Sequence, residues 1–393
     1  MTSKTYLVTV SGPDRVGVGA ELFAALVELT QQDGNITDVA QITIKGTLVL
    51  CAEVTADSSV TSSDVEAALN VRDIVARGIT ATVEEVLPVE PGDGRRLLVT
   101  LLAPAISAAH LEGIFRAIAE SDATCERIVH LASYPVDCYE LVVRGSDHAL
   151  LRESVASVAK GLDLDLAVQR AGLHRRAKHL VVMDADSTLL QDEVIDLLAD
   201  ACGCVEQVST ITEAAMAGEI DFAEALRQRV ALLTGMPATV LVDVRAKLRL
   251  APGARTLLRT LQRLGYVPAV VSGGFVEVLG PLMAELDVHH LEANCLEIEN
   301  GKLTGRLGAP VVDRAGKAHA LERFAHEVGV PLEQTVAVGD GANDIDMLAI
   351  AGLGIAFNAK PSVQEHADAA LSVPYLDAVL YFLGISREEI EDE

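Results

Sequence analysis

The chain has 393 residues, a formal net charge of −26 and a hydrophobic fraction of 50%. This length exceeds one ordinary hydrophobic core and predicts about two to four domains, and the composition is typical of a globular protein. The acidic charge argues against nucleic acid or anionic lipid as partners, because binding them requires clustered Lys and Arg.

The first 87 residues predict a small βαββαβ domain. A strand-like run leads into a loop rich in Gly, Pro and Asp and then into an apolar-periodic helix. Gly46, between the next two strand-like runs, favours a hairpin. The predicted strands cover 5–10, 35–45, 47–56 and 79–87, and the predicted helices cover 18–31 and 62–76.

The same order of elements begins again after a linker at 88–94. Leu98-Val99-Thr100-Leu101 follows Leu7-Val8-Thr9-Val10 after 98 − 7 = 91 residues, which favours an internal duplication. We therefore expect a second domain of the same type at 95–172. Its predicted helices cover 107–120 and 147–161, and its predicted strands include 124–133 and 136–144.

From residue 173 to 393 the sequence predicts an α/β domain with a Rossmann-like parallel sheet. Short, wholly apolar runs at 180–183, 267–271 and 335–338 are typical of parallel strands buried on both faces. Residues 191–249 are helical in pattern and predict a cap inserted after the first strand. Such a cap is positioned to close over a bound ligand.

Each of the three apolar runs ends in a polar cluster. Ligands bind at the carboxyl ends of parallel strands, so we expect the clusters to converge on one crevice. Singly, such motifs are most often ordinary turns, and their conjunction is what favours a phosphoryl-transfer site. The clusters are Asp184-Ala185-Asp186, Ser272-Gly273-Gly274 and Gly339-Asp340-Gly341-Ala342-Asn343-Asp344.

The chemistry of these clusters fits a covalent phosphatase. Two carboxylates at positions i and i+2 share a small space, which favours a bound cation or a proton donor. Asp184, Asp340 and one backbone carbonyl suit magnesium, and Asp184 can act as the nucleophile. Asp186 can protonate the leaving oxygen and then activate water, while Ser272 and the Gly273 N–H supply donors to the phosphoryl oxygens.

Residues 179–375 resemble the haloacid dehalogenase-like phosphatases. The DxDST motif at 184–188, the SGG motif, Lys317 and the GDGxND motif carry this resemblance. It is closest to the phosphoserine phosphatase family, through Asp186-Ser187-Thr188-Leu189 with Glu193, and through Phe222 with Leu226-Arg227-Gln228-Arg229-Val230 in the cap. The resemblance implies hydrolysis of O-phospho-L-serine to L-serine and phosphate through an aspartyl-phosphate, the last step of serine biosynthesis.

The resemblance also implies a role for each site residue. Asp184 is the expected nucleophile and Asp186 the expected acid and base. Mg²⁺ would be held by Asp184, the carbonyl of Asp186 and Asp340, with Asp344 supporting the outer shell of the metal. The residues expected to bind phosphate are Ser272, Gly273, Lys317 and Asn343.

The serine moiety would be held by Glu193 and Arg229. A zwitterionic amino acid requires one fixed anion and one fixed cation, and Arg grips a carboxylate through two hydrogen bonds. Without the resemblance, the alternative is a charge at a helix start for Glu193 and a solvated helix position for Arg229.

Residues 1–172 resemble two tandem ACT domains, chiefly through the loop Gly12-Pro13-Asp14-Arg15-Val16-Gly17. This resemblance implies a homodimer and regulation by an amino acid, serine, with Asp14 and Gly17 contacting the ligand. The alternative is a tight loop in which the glycines relieve backbone strain.

Two other functions stay open at this point. A phosphotransferase would pass the phosphoryl group to another hydroxyl, such as that of homoserine, because water and an alcohol attack the same intermediate. A non-catalytic amino-acid-sensing protein is the second alternative. The N-terminus has no recognisable secretory signal and no apolar stretch is long enough to span a bilayer, so we expect a cytoplasmic protein with no nucleic acid or membrane partner.

Overall fold

The structure is a computed structural model in which the chain forms two compact units, 1–92 and 93–393. The linker expected at 88–94 lies outside the described residues. No described helix is both long and apolar enough to cross a membrane. The described residues are 3–30, 35–71, 78–87, 96–172, 175, 177–217, 219–308 and 310–391.

The first unit is a four-stranded antiparallel sheet packed against two helices. Alternate side chains of the first strand, among them Tyr6, Val8 and Val10, are buried against the helices, as expected for a sheet with one covered face. The sheet order is β2-β3-β1-β4, and the βαββαβ fold expected from the sequence is confirmed. The elements are β1 (Ser3–Pro13), α1 (Val18–Thr30), β2 (Asn35–Ile44), β3 (Thr47–Asp57), α2 (Ser62–Val71) and β4 (Thr80–Val86).

The second unit begins with another βαββαβ module, whose sheet order is β8-β5-β7-β6. Its last strand, β8, had no predicted bounds, although the expected βαββαβ type includes such a strand. That strand carries two buried polar residues, Asp165 and Gln169, and they interrupt the apolar pattern on which the prediction depended. The elements are β5 (Arg96–Ala103), α3 (Ala108–Glu120), β6 (Thr124–Ala132), β7 (Asp137–Arg144), α4 (His148–Gly161) and β8 (Asp165–Arg170).

The remainder of the second unit contains a parallel sheet in the order β11-β10-β9-β14-β15-β16. The three apolar runs expected to be strands form β9, β10 and β14, and β9 lies between the other two. Two further strands form a separate hairpin around the Asn300-Gly301 turn. The strands are β9 (Leu180–Met183), β10 (Val267–Phe275), β11 (His290–Asn294), β12 (Leu296–Glu299), β13 (Lys302–Leu307), β14 (Thr335–Gly339), β15 (Gly354–Phe357) and β16 (Ala369–Leu371).

Helices follow the parallel strands, and four of them form the cap expected after β9. Asp221 begins one cap helix, because its side chain accepts a hydrogen bond of 2.8 Å from the Glu224 N–H. The cap helices are Val194–Cys202, Val205–Met216, Phe222–Ala231 and Val240–Lys247. The others are Ala254–Arg263, Val276–Glu285, Arg314–Val328, Ile345–Ile350, Pro361–Gln364, Val379–Phe382 and Arg387–Glu391.

The two sheets of the second unit are continuous. Strand β8 pairs antiparallel with β16 at Ala167 and Ala369, which gives one ten-stranded sheet. The Ser372 N–H donates to Asp165 at 2.6 Å, and Arg175 forms a buried ion pair with Glu140. The βαββαβ module and the parallel sheet therefore share backbone pairing and buried polar contacts.

Asp165 makes the stability of this junction depend on pH. Burial raises the pKa of Asp165 to about 6, although the Ser372 N–H partly offsets this effect. Below about pH 4 the carboxyl is neutral in both states, and between about 4 and 6 only the folded protein keeps the proton. Above pH 6 the folded state contains a buried charge, which lowers stability by up to roughly 3 kcal/mol because one pKa unit corresponds to about 1.4 kcal/mol.

We therefore expect Asp165→Asn to raise the thermal unfolding midpoint by about 5 °C at pH 8 and by much less at pH 5. The asparagine oxygen still accepts from Ser372, while the buried charge is removed. Asp163→Asn is the matched control, because Asp163 is exposed and its φ of 51° suits asparagine equally well. An equal gain for Asp165→Asn at both pH values would contradict this account.

Candidate active site

The three polar clusters meet at one edge of the parallel sheet. Asp184 follows β9, Ser272 lies near the end of β10, and Asp340 follows β14. Because β9 pairs with both of the other strands, their carboxyl ends are adjacent. The convergence expected from the sequence therefore follows directly from the strand order.

Lys317 is buried between two carboxylates. Its Nζ lies 2.6 Å from Asp184 Oδ2 and 2.7 Å from Asp344 Oδ1, and the three side chains are at most 5% exposed. Burial alone would lower the pKa of Lys317, but the two carboxylates outweigh it and hold the pKa above its ordinary value. Lys317 is therefore a permanent cation beneath the site.

Three carboxylates crowd together at this edge. Oxygen atoms of Asp184, Asp340 and Asp344 all lie within 4.8 Å of one another. Burial and the neighbouring Asp344 raise the pKa of Asp184, and the same two causes raise the pKa of Asp340 to about 6. Such a group of hard oxygen donors fits a divalent cation, which would relieve this repulsion.

Asp186 is held by two hydrogen bonds to its carboxylate. Oδ1 accepts from the Val194 N–H at 2.7 Å, and Oδ2 accepts from the Ser272 hydroxyl at 2.9 Å. Burial and the charge of Glu193 raise the pKa of Asp186 to about 6, despite these donors. A carboxyl that titrates near neutral pH can both give and take a proton.

The loop after β9 requires an unusual backbone. Ser187 has a φ of 55°, in the left-handed region, and its hydroxyl donates to Glu193 at 2.7 Å. Thr188 donates to Asp340 at 3.1 Å. This tight turn therefore orients residues on both sides of the carboxylate group.

The SGG segment is held by hydrogen bonds and by close packing against its neighbours. The Gly274 N–H donates to the Ser272 hydroxyl at 2.8 Å, and the Gly273 carbonyl accepts from Asn294 at 2.8 Å. A Cβ on Gly274 would lie 3.0 Å from Asp186 Oδ2, and one on Gly273 would lie 3.2 Å from Phe222. Glycine at both positions keeps the segment close to the carboxylates and the cap.

The sequence assigned no individual role to two residues that hold the site, Asn294 and Thr188. Asn294 is fully buried, holds the Gly273 carbonyl and accepts from the Val312 N–H at 2.8 Å. Thr188 holds Asp340. Asn294 ends β11 just as the other clusters end their strands, and that position is the signal that could have identified it.

The GDGxND loop contains a second glycine constraint. A Cβ on Gly339 would lie 2.4 Å from Asp344 Cγ, and one on Gly341 would lie 2.2 Å from Asn343 Oδ1. The Gly341 N–H also donates to Asp344 at 2.9 Å. These contacts turn the loop sharply, so that Asp340 and Asn343 reach the site while Asp344 stays buried below it.

A cavity of about 670 Å³ lies between the carboxylates and the cap. Glu193 and Arg229 both line it, as do most of the other residues that the sequence assigned to the site. Burial lowers the pKa of Arg229, and nearby carboxylates, including Asp196 and Glu193, oppose that effect. The cavity thus offers an anion and a cation in the same space as the expected nucleophile. Asn343 and Gly273 also line it.

Asp14 and Gly17 belong to the first unit. Both lie in an exposed loop between β1 and α1, and the Asp14 N–H donates to the Gly46 carbonyl at 2.9 Å. Gly17 has a φ of 98°, a conformation that requires glycine. The loop geometry therefore explains the glycine without a ligand.

Comparisons with known proteins agree with this architecture. A family model for haloacid dehalogenase-like hydrolases matches residues 181–349, and two ACT domain models match 4–73 and 97–169. A phosphoserine phosphatase from Streptomyces coelicolor is 49% identical over 392 residues, covering 98% of this chain and 94% of that protein. One from Mycobacterium tuberculosis is 46% identical over 394 residues, with the same two coverages.

Solved structures lead to the same family. A phospho-aspartyl intermediate analogue of phosphoserine phosphatase matches with a TM-score of 0.50 at 40% identity, covering 52% of this chain and 98% of that one. An unliganded probable phosphoserine phosphatase from Vibrio cholerae matches with a TM-score of 0.59 at 31% identity, covering 78% of this chain and 92% of that one. The chain therefore belongs to the phosphoserine phosphatase family of haloacid dehalogenase-like hydrolases, with two ACT domains before its hydrolase domain.

Proposed function

We propose that this protein hydrolyses O-phospho-L-serine to L-serine and phosphate through a phosphoaspartate on Asp184. The observation that carries the proposal is the cavity itself. Asp184, Asp186, Glu193 and Arg229 line it together. The names of the relatives, which cover nearly the whole chain, support the same substrate.

In the first step, a carboxylate oxygen of Asp184 attacks phosphorus as the bond from phosphorus to the serine oxygen breaks. Asp186, protonated, gives its proton to that oxygen, so that serine leaves as a neutral alcohol. Lys317 favours the ionised form of Asp184 and so opposes the effects of burial and Asp344, which raise its pKa. Ser272 orients Asp186 by donating to its carboxylate.

In the second step, the Asp186 carboxylate takes a proton from water, and the water oxygen attacks phosphorus. The bond from phosphorus to Asp184 breaks, which restores the carboxylate and releases phosphate. A pKa of about 6 allows Asp186 to perform both roles near neutral pH.

Mg²⁺ is the proposed cofactor, held by Asp184, Asp340 and the carbonyl of Asp186. When bound, it supplies positive charge to the phosphoryl oxygens. Asp344 acts from the outer shell, where it holds Lys317 and the Gly341 N–H.

The phosphate and serine groups of the substrate have separate proposed partners. Glu193 would bind the ammonium group and Arg229 the carboxylate, since both line the cavity. The proposed phosphate-binding residues are Ser272, the Gly273 N–H, Lys317 and Asn343.

We expect Arg229→Met to raise KM for phosphoserine by about 100-fold, because a charge-assisted pair with the substrate carboxylate is lost. Hydrolysis of phosphoethanolamine, which has no carboxylate, should change little. Arg227→Met is the matched control on the same helix, because Arg227 is exposed and pairs with Glu224. Equal losses with both substrates would argue against a carboxylate contact.

The deciding assay measures phosphate release from L-phosphoserine beside a panel of sugar and nucleotide phosphates. Chelation with EDTA should abolish release, and added Mg²⁺ should restore it. Preference for another phosphate ester would overturn the proposed substrate. Transfer of phosphate to added homoserine would identify a phosphotransferase. A protein that releases no phosphate but binds serine in calorimetry would be an amino-acid sensor.

The two ACT domains support a role for the N-terminal part of the chain in regulation and in dimer formation. The protein would be a cytoplasmic homodimer inhibited by serine, with Asp14 and Gly17 at the regulatory ligand. Asp14→Ala should then abolish inhibition by serine and leave turnover without serine unchanged. Equal inhibition of variant and parent would exclude this loop, and sedimentation of the parent tests the dimer.

A further inference from the structure

Lys360 adds a cation to the wall of the active-site cavity. It follows β15, and with Ser362 and Val363 it forms one side of the cavity. Its side chain is exposed, and no ion pair joins it to a carboxylate of the described residues. The chemistry proposed above assigns Lys360 no role.

The lining of the cavity is acidic, so an added cation there would favour the binding of an anion. Arg229 and Lys360 are the cations among the lining residues, against four carboxylates. Phosphoserine itself carries a net charge of about −2 near pH 7, and the whole chain carries −26. Positive charge at this opening favours the approach of a dianion, in addition to the charge that Lys317 and the proposed Mg²⁺ supply deeper in the site. The four carboxylates are Asp184, Asp186, Glu193 and Asp340.

Residues 360–364, the wall that carries Lys360, border a cavity on each side. The short helix Pro361–Gln364 faces the active-site cavity through Ser362 and Val363. Its other side, through Pro361 and Gln364, lines a second cavity of about 840 Å³ that α4 also lines. Val363 anchors this segment in the core, whereas Lys360, Pro361 and Ser362 are exposed, so contacts at the ends of the segment help to fix its exposed part.

Arg152 of α4, in the second ACT domain, provides those end contacts. Its guanidinium donates to the Ala367 carbonyl at 2.6 Å and to Asp368 Oδ1 at 3.3 Å. The other oxygen of Asp368 accepts from the Gly354 N–H at 3.0 Å, and Gly354 begins the strand that leads to Lys360. Arg152 therefore contacts the segment after the wall directly, and it reaches the start of β15 through Asp368.

We propose that Lys360 attracts and binds the anionic substrate, and that Arg152 is the residue that positions its wall. The proposal rests on the proposed function, because it concerns the same cavity and substrate. It also gives the second ACT domain a direct route to substrate affinity.

The first test compares Lys360→Met and Lys360→Arg in the full chain. At low ionic strength, the methionine variant should lose about 5- to 10-fold in kcat/KM for phosphoserine, mainly through KM. Its kcat/KM should fall less steeply with added salt, because the screened charge is gone. The arginine variant should behave like the parent.

Lys247→Met is the control, because it removes the same charge from an exposed cap position that does not line the cavity. A Lys360→Met variant with parental kcat/KM and parental salt dependence would overturn the proposal. Binding of inorganic phosphate, measured by calorimetry, gives a readout without turnover and should weaken by a similar factor. Failure of the parent to hydrolyse phosphoserine would refute the proposed function alone.

The second test is a double-mutant cycle. Arg152→Met should raise KM about 3-fold in the parent and should have no further effect when Lys360 is already methionine. Arg116→Met, which breaks an exposed pair with Glu112 on α3, should leave KM unchanged. Additive effects of the two substitutions would show that Arg152 does not act through Lys360.

Discussion

Asp184→Asn is expected to lower kcat for phosphoserine by at least ~10⁴-fold, because an amide cannot form the phosphoaspartate. The fold should persist. The asparagine oxygen can still accept from the Ala185 N–H, and Lys317 keeps its contact with Asp344. Steady-state phosphate release measures the loss, and circular dichroism with thermal unfolding checks the structure.

Asp243→Asn is the matched control, an exposed aspartate on a cap helix. A direct readout uses substrate labelled in its phosphoryl group. Acid quenching during turnover should leave label on the parent protein, and hydroxylamine should remove it because an acyl phosphate is cleaved by that reagent. A variant at Asp184 that retains a tenth of parental kcat, or that still becomes labelled, would rule out this nucleophile.

Lys317→Met is expected to damage both stability and catalysis. Removing the cation leaves Asp184 and Asp344 buried without their shared partner, and breaking such a buried pair costs about 3–5 kcal/mol. The thermal midpoint of the variant without metal should fall by roughly 10 °C. Because Lys317 also stabilises charge at the reacting centre, kcat should fall by about 10³-fold.

Added Mg²⁺ separates the two effects of this substitution. A divalent ion restores positive charge beside the carboxylates, so it should recover part of the midpoint but not kcat. Lys247→Met, which removes an exposed lysine, should change neither quantity. A stable and active Lys317→Met protein would show that the buried ion group is not required.

The site was predictable because its chemistry lies at strand ends. The four apolar residues of β9 are wholly buried and lead directly to Asp184 and Asp186. The apolar pattern therefore predicted the strand, and the end of the strand located the site. Asn294 and Thr188 were assigned no role because their roles arise from contacts across the fold. Asn294 ends a strand and Thr188 lies in the DxDST motif, but neither position indicates which group the side chain contacts.

The same reasoning explains what was missed in the fold. β8 had no predicted bounds because Asp165 and Gln169 lie in a buried strand, where polar residues are rare. Its pairing with β16 joins Ala167 to Ala369, which are 369 − 167 = 202 residues apart. A periodic sequence pattern gives no information on strand pairing between residues so far apart in the chain. The motifs likewise did not predict that Lys317 forms ion pairs with Asp184 and Asp344.

The continuous ten-stranded sheet has a practical consequence for fragments of this protein. A chain beginning near residue 173 would lose β8 and leave the edge of β16 with unpaired backbone groups. Such an edge readily pairs with a second copy, which promotes aggregation. Leu102, Cys138 and Ala167 of the lost module also belong to the apolar cluster of the hydrolase domain, which would lose them. The hydrolase domain of this chain is therefore best produced together with its second ACT domain.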